Sequence, residues 1–320
     1  MNQQLPLAVY YEHPEWFRPL FAELDRRSIQ YLRIDAGCHG YDPTATDRKY
    51  ALFFNRMSAS AYQRGNAQAI LFTRDYLAHL ERIGTRVING CKAFSLEISK
   101  AAQFSLLHSL GLGTPRSRIV NCAIQAASVA QEIGFPVIVK PNIGGRGAGI
   151  KRFDSAPALE RAAAAGEIEF GIDSTALVQE FLPARGGHIT RVETLGGKFL
   201  YAIKVYTSGE NFNLCPAEIC RMEDGASAVN TMGLVDAPKA GLKVEGYTPP
   251  QQIIDAVERI VGAAQIEVGS IEYIVDDRDG GIVYYDINAL SNFVANAPQI
   301  VGFDPHVRLV DYLEEETEGA

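Results

Sequence analysis

One run, 135–149 (FPVIVKPNIGGRGAG), constrains this chain more than any other. Val137, Ile138 and Val139 favour a buried strand, and a lysine in such an apolar run is there for its charge. Gly144, Gly145, Gly147 and Gly149 follow, and glycines let backbone N–H groups approach an anion that Lys140 would neutralise. The predicted unit is a strand that delivers a cation to a phosphate cradle. It is neither of two better-known cradles: Ile150 stands where a P-loop needs its lysine and where the dinucleotide fingerprint needs its third glycine. A kinase-type loop would place its lysine after the glycines. The remaining alternative is a mobile surface turn.

A chain of 320 residues, 47% hydrophobic and 21% charged, can bury a core spread over two or three subdomains. Its net charge of -8 argues against a nucleic-acid surface, although a few cations focused in a cleft can still hold an anion. The cysteines at 38, 91, 122, 215 and 220 form no C-x-x-C pair, which suits reduced thiols in a cytoplasmic setting. No basic leader and no apolar run of about 18 residues is present, so neither a signal segment nor a membrane span is expected.

Positions 1–92 alternate strands (5–11, 29–34, 50–55) with helices (15–27, 76–83), the pattern of a small parallel α/β unit. Ligands of such sheets sit beyond the strands' carboxyl ends, at the loops 13–16, 35–41 and 55–58. A helix over 95–110 opens a central part, 93–178, which carries the lysine strand and its glycines. The last part, 179–320, is mostly antiparallel: Gly196-Gly197 joins strands 189–195 and 198–205, and a turn over 276–281 joins 270–275 and 282–287. The acidic tail 314–318 reads as solvated, and Trp16 as a core residue.

Asp286 and Asn288 are two apart on one strand and share a face. Antiparallel pairing brings Glu272 opposite residue 285 or 286, so two carboxylates and an amide oxygen gather in a hard-oxygen set suited to Mg²⁺, the alternative being an exposed polar strand face. The candidate cations are Lys100, Lys140, Arg191 and Lys204, with Arg191 able to hold phosphate bidentately. Arg56, ending a strand beside the presumed cleft, is a candidate for a substrate carboxylate, and equally for a structural arginine paired with a neighbouring acid.

Taken in order, these segments resemble the ATP-grasp superfamily, most of all its glutathione-synthetase and RimK-type carboxylate–amine ligases. The end of the N-terminal unit (FFNRMS, 53–58), the helix EISK (97–100) with its exit LGLGTP (110–115), the strand PVIVK (136–140) and VQEFL (178–182) are all similar to that family's segments. The resemblance implies an ATP-grasp fold, α/β with an α+β C-terminal part: an N-terminal α/β domain over 1–92 and two subdomains, 93–178 and 179–320, clasping ATP. It implies that Lys100, Lys140, Gly144, Gly145, Arg146 and Gly147 hold the phosphates. Gln179, Glu180, Phe181 and Leu182 would hold adenine, with His188 near the ribose. Glu272, Asp286 and Asn288 would hold Mg²⁺ or Mn²⁺; Arg191, Lys204 and Asn213 would act in catalysis. Arg56, Ser291 and Asn292 would contact substrate.

The implied reaction activates a carboxylate of a small molecule or peptide as an acyl phosphate and couples it to an amine, releasing ADP and phosphate. The alternatives are an ATP-grasp phosphotransferase acting on a hydroxyl and a non-catalytic ATP-binding regulator. Dimers and tetramers are common among the resembled ligases, which leaves a homo-oligomer as one option by analogy alone. The sequence departs from them at His188, where RimK-type ligases usually carry an acid, and at Ser270, where D-alanine ligases carry an arginine. It also lacks their proline-glycine turn after Asn288.

Overall fold

The structure is a computed structural model that describes residues 5–145, 147–206 and 243–319; Arg146, Asn213, Cys215 and Cys220 lie outside them. Three sheets organise the described residues. The first has the order β2-β1-β3-β4 and is parallel throughout: β1 (Leu7–Tyr11), β2 (Tyr31–Asp35), β3 (Leu52–Arg56) and β4 (Arg86–Ile88). The second, β5-β8-β6-β7, is antiparallel, with β5 (Ser117–Val120), β6 (Val137–Pro141), β7 (Lys151–Phe153) and β8 (Ala176–Glu180). The third, β11-β10-β9-β12-β13, is also antiparallel. It comprises β9 (His188–Leu195), β10 (Lys198–Tyr206), β11 (Val244–Tyr247), β12 (Val268–Val275) and β13 (Ile282–Asn288).

Each sheet buries apolar faces that alternate along its strands. Leu7, Val9, Leu52 and Phe54 point to one side of the first sheet and meet Tyr201, Ile203 and Val205 of the third, closed by α1 (Arg18–Arg26) and α9 (Pro305–Glu318). Ala8, Tyr10 and Phe53 point to the other side, against α2 (Ala67–Arg82) and α3 (Cys91–Glu97). The second sheet packs Val137, Val139 and Val178 on α5 (Ile124–Ile133) and α6 (Ala156–Ala164). The far face of the third sheet packs on α4 (Lys100–Ser109) and α7 (Gln251–Ala264), whose Ile253, Val257, Ile260, Val261 and Ala264 follow the helical period. A short α8 (Ala297–Val301) precedes α9.

Three expectations are corrected. The helix predicted over 95–110 is two helices, because Ser99 adopts an extended conformation and its hydroxyl accepts the Ala102 N–H as the N-cap of α4. Lys100 is therefore the first residue of a helix. The helix predicted over 76–83 begins at Ala67, its buried stripe running through Ile70, Thr73, Tyr76, Leu77 and Leu80. The acidic tail is not solvated throughout: Arg27 donates to Glu314 at 2.7 Å and Arg86 to Glu316 at 2.6 Å. Among the described residues no helix is long and apolar enough to cross a membrane.

Asn89 ties the end of the first sheet to the third. Asn89, 1% exposed and left-handed at φ 54, donates to Val268 O and Ala289 O, both at 2.6 Å, and accepts from Glu267 N and Val268 N. Alanine there would leave these buried groups unpaired and would dislike the positive φ. Asn89→Ala is expected to destabilise the protein by about 3 kcal/mol or more, read as a lower urea midpoint at unchanged slope.

Candidate active site

A cavity of about 280 Å³ opens between the second and third sheets and extends to the first. Alternation decides what it receives. On β6 and β8, Ile138, Lys140 and Gln179 face it, while Val137, Val139 and Val178 pack on helices behind. On the third sheet Ile189, Arg191, Glu272 and Ile274 face it. Of the loops beyond the first sheet, Trp16 and Ser58 reach the cavity, whereas 35–41 turns His39 onto Tyr76, with ring centroids 4.8 Å apart. Trp16 serves the core as well: it is 7% exposed, with the Arg64 guanidinium 4.6 Å from its ring centroid.

The register of β12 and β13 is the central fact. Glu272 lies opposite Asp286 and Ser270 opposite Asn288, with Tyr285 inserted as an extra residue that shifts the pairing by one. Without that bulge Asp286 would point to the opposite face from Glu272. Glu272 Oε2 accepts the Tyr285 hydroxyl at 2.7 Å, and Asp286 Oδ1 accepts from Lys100 Nζ at 2.5 Å. Burial, added to repulsion from Asp286, raises the Glu272 carboxyl despite Arg191 nearby.

Arg191 is buried in a carboxylate frame. Its Nε donates to Glu193 at 2.8 Å, Nη1 to Glu272 at 3.4 Å and Nη2 to the Ser291 hydroxyl at 2.5 Å. The Ser291 hydroxyl in turn donates to Glu193 Oε2 at 2.5 Å, so Ser291 serves this frame and does not line the cavity. Burial alone would lower the Arg191 pKa; the two glutamates outweigh it and raise it. Among the described residues Lys140 has no such partner. Burial, reinforced by Lys100, brings it down to about 7.

The glycine loop brings Gly144, Gly145 and Gly147 to the cavity, and Asn142 ties its entry to α4 by accepting Ala101 N–H at 2.9 Å. A Cβ on Gly145 would come within 3.2 Å of Ser60, which explains the bare backbone there. Gln179, Phe181 and Leu182 line the cavity, but the Glu180 side chain points behind the sheet to Arg116 and Arg278. The His188 ring lies tilted against Tyr206, centroids 5.2 Å apart, and is not on the lining.

Two further expected residues lie elsewhere. Lys204 is on the opposite face of the third sheet from Arg191, with its ammonium 4.4 Å from the Tyr247 ring centroid. A bulge at Leu200 is the reason: it pairs Arg191 with Ile203, and one step in register flips every later side chain of β10. Arg56 is 4% exposed and off the lining, wedged between the Phe17 and Phe54 rings, where its Nη2 donates to Ser291 O at 2.6 Å. Burial lowers its pKa to about 10. Asn292, by contrast, is on the lining.

Sequence reasoning missed Glu193, Tyr285 and Glu97. Glu193 could have been found from its i,i+2 spacing to Arg191; Glu97 lies three residues before Lys100 and joins the site only through the tertiary fold. Its Oε2 accepts Ala289 N–H at 2.6 Å and Leu290 N–H at 3.1 Å, and burial, reinforced by Asp286, lifts its pKa to about 7.

The described donor set fits a hard divalent cation. Among the described residues no three acids, histidines or cysteines converge, but two carboxylates and one amide suffice where phosphate and water complete the shell. The Asn288 Nδ2 is buried without a partner among the described residues, so nothing there fixes the amide against turning its oxygen to a metal.

Comparison with known proteins agrees with this geometry. Residues 100–186 match the family model described as carbamoyl-phosphate synthase L chain, ATP binding domain. A probable alpha-L-glutamate ligase of Teredinibacter turnerae is 27% identical over 69% of this chain and 73% of its own length. A D-alanine–D-alanine ligase of Aromatoleum aromaticum is 28% identical over 59% of this chain and 62% of its own. The solved structure of the ATP-grasp ligase PsnB, complexed with minimal precursor, Mg and ADP, superposes with a TM-score of 0.64 at 17% identity, covering 99% of each chain. The likeness to that ATP-grasp ligase extends over the whole chain: this chain has the ATP-grasp fold.

Proposed function

We propose that this protein is an ATP- and Mg²⁺-dependent ligase that joins the carboxylate of an amino acid or peptide to an amine, acting in the cytoplasm. The observation that carries this is the meeting, on one cavity, of Lys140, Lys100 and Arg191 with the pair Glu272 and Asp286. Cations alone would suit any anion; cations beside two carboxylates and an amide suit a phosphate chain that arrives with its metal. The related glutamate and D-alanine ligases, and PsnB with its precursor, support an amino-acid or peptide substrate. The proposed domain division is 1–92, 93–178 and 179–320, although β8 (Ala176–Glu180) of the second sheet runs across the second boundary.

Adenine would lie at the exit of β8, by Gln179, Phe181 and Leu182, between the apolar walls Ile138, Ile150 and Ile274. The phosphates would meet Lys100, Lys140 and the glycine loop, while Glu272, Asp286 and Asn288 would hold Mg²⁺. Bound there, Mg²⁺ supplies charge neutralisation across the phosphates. The substrate carboxylate attacks the γ-phosphorus, the bond to the bridging oxygen breaks, and ADP leaves. An amine then attacks the acyl carbon and phosphate departs. The first step drives two anions together, so positioning and charge neutralisation carry it. Arg191, locked by Glu193 and Ser291, offers its remaining N–H groups without having to reorganise. Asn292 would touch the substrate, with Ser291 and Arg56 holding its loop from behind.

Incubation with ATP, Mg²⁺, hydroxylamine and pooled amino acids is expected to yield a hydroxamate together with ADP; ADP without hydroxamate, in a pool that includes alcohols, would identify a phosphotransferase. Asp286→Ala is expected to lower ADP release at least about 100-fold while the protein still melts cooperatively, and EDTA should do the same to the parent protein. Near-normal turnover in either case would discard the metal assignment.

The Lys140 ammonium gives a pH signature. Its pKa of about 7 in the free protein must rise when phosphate oxygens replace its apolar surroundings. At pH 8 it is mostly neutral when free and charged when bound, so ATP binding should take up a proton, and affinity should fall as pH climbs above 7. Calorimetry in buffers of differing ionisation enthalpy reads this uptake, which Lys140→Met should abolish.

A further inference from the structure

Glu97 is a carboxylate placed where an anion-handling site would ordinarily avoid one. It ends α3, lines the cavity, and grips the two residues that directly follow Asn288. Both of those bonds go to Oε2; Oε1 has no hydrogen bond among the described residues. No cation among the described residues hydrogen-bonds it: Lys100 is paired with Asp286, Arg191 with Glu193 and Glu272, and Arg56, a charged neighbour whose Nε and Nη1 have no partner there, donates to the Ser291 carbonyl. A negative oxygen beside a phosphate site weakens the binding of every anionic reactant, unless a cationic guest comes to meet it.

Resting on the ligase reading above, we propose that Glu97 receives the incoming amine and takes its proton. The arriving ammonium gives one proton to Glu97 Oε1. The freed lone pair forms the C–N bond to the acyl carbon, the C–O bond to phosphate breaks, and its electron pair leaves with the phosphate, which carries off the second nitrogen proton. Glu97 then returns its proton to solvent. The two backbone N–H groups on Oε2 keep the carboxylate from swinging away, so the free oxygen is held in one place for the nitrogen.

Hydroxylamine is a weak base that is largely unprotonated at neutral pH and needs no such help, which separates this role from a structural one. With ATP, Mg²⁺ and the pooled proteinogenic amino acids, hydroxamate is measured in the presence of hydroxylamine and dipeptide in its absence. Glu97→Gln keeps an oxygen for the Ala289 and Leu290 N–H groups; it is expected to raise the ratio of hydroxamate to dipeptide rate by about 100-fold. Glu97→Asp, which keeps the charge, should stay within about tenfold of the parent ratio, and it carries the test if the glutamine variant fails to melt cooperatively. A parallel fall of both products would reduce Glu97 to an anchor of the 289–290 loop, and unchanged rates of both would remove it from the reaction. Absence of both products from the parent protein, with ATP still bound, would overturn the ligase reading itself and this inference with it.

Discussion

The active face depends on register. A strand's side chains alternate with period two, so inserting one residue exchanges the faces of everything beyond it. The third sheet contains two such insertions with opposite consequences. The bulge at Tyr285 carries Asp286 and Asn288 onto the face of Glu272 and Arg191, and the bulge at Leu200 sends Lys204 to the other. Tyr285 also braces the arrangement it creates, because its hydroxyl donates to Glu272.

Bringing these charges together in a buried place demands balance, and the protein supplies it before any ligand arrives. Glu193 is fully buried beside Arg191, and Lys100 lies against Asp286. Removing a partner from such a pair leaves an uncompensated charge, which is why they are tied to backbone through neutral groups as well. Gln103, 1% exposed, bonds both the N–H and the C=O of Ile287, between Asp286 and Asn288, and so fixes α4 against β13. Asn142 and Asn89 do the same for the glycine loop and for the seam between the first and third sheets. Amides suit this work, since they offer a donor and an acceptor and carry no charge to disturb the site.

Lys140 and Glu97 stand outside this balance, each shifted toward neutrality by burial. Among the described residues one is a cation without a close anion and the other a carboxylate with an unbonded oxygen. In a site otherwise neutralised in advance, these are the groups whose charge a ligand would change.

The amino-acid sequence by itself determined the parallel N-terminal unit, the two hairpins, the lysine strand with its glycines, and the residue types of the cation and carboxylate sets. These follow from local rules: period-two alternation, glycine-marked turns, and polar residues at one strand face. Helix α4 needed its Ser99 cap to be recognised, and the cap is a local signal too, obscured by continuous apolar periodicity across it. Tertiary structure alone decided which side each candidate took. A bulge is a compromise among packing, twist and turn, and no single residue at 200 or 285 announces it. Arg56 ends a strand as its position suggests, yet the rings of Phe17 and Phe54 close over it once the first and third sheets meet. Glu97 is an ordinary helix-end glutamate in sequence; it becomes part of the site because α3 is folded against residues almost two hundred positions away, whose backbone it holds.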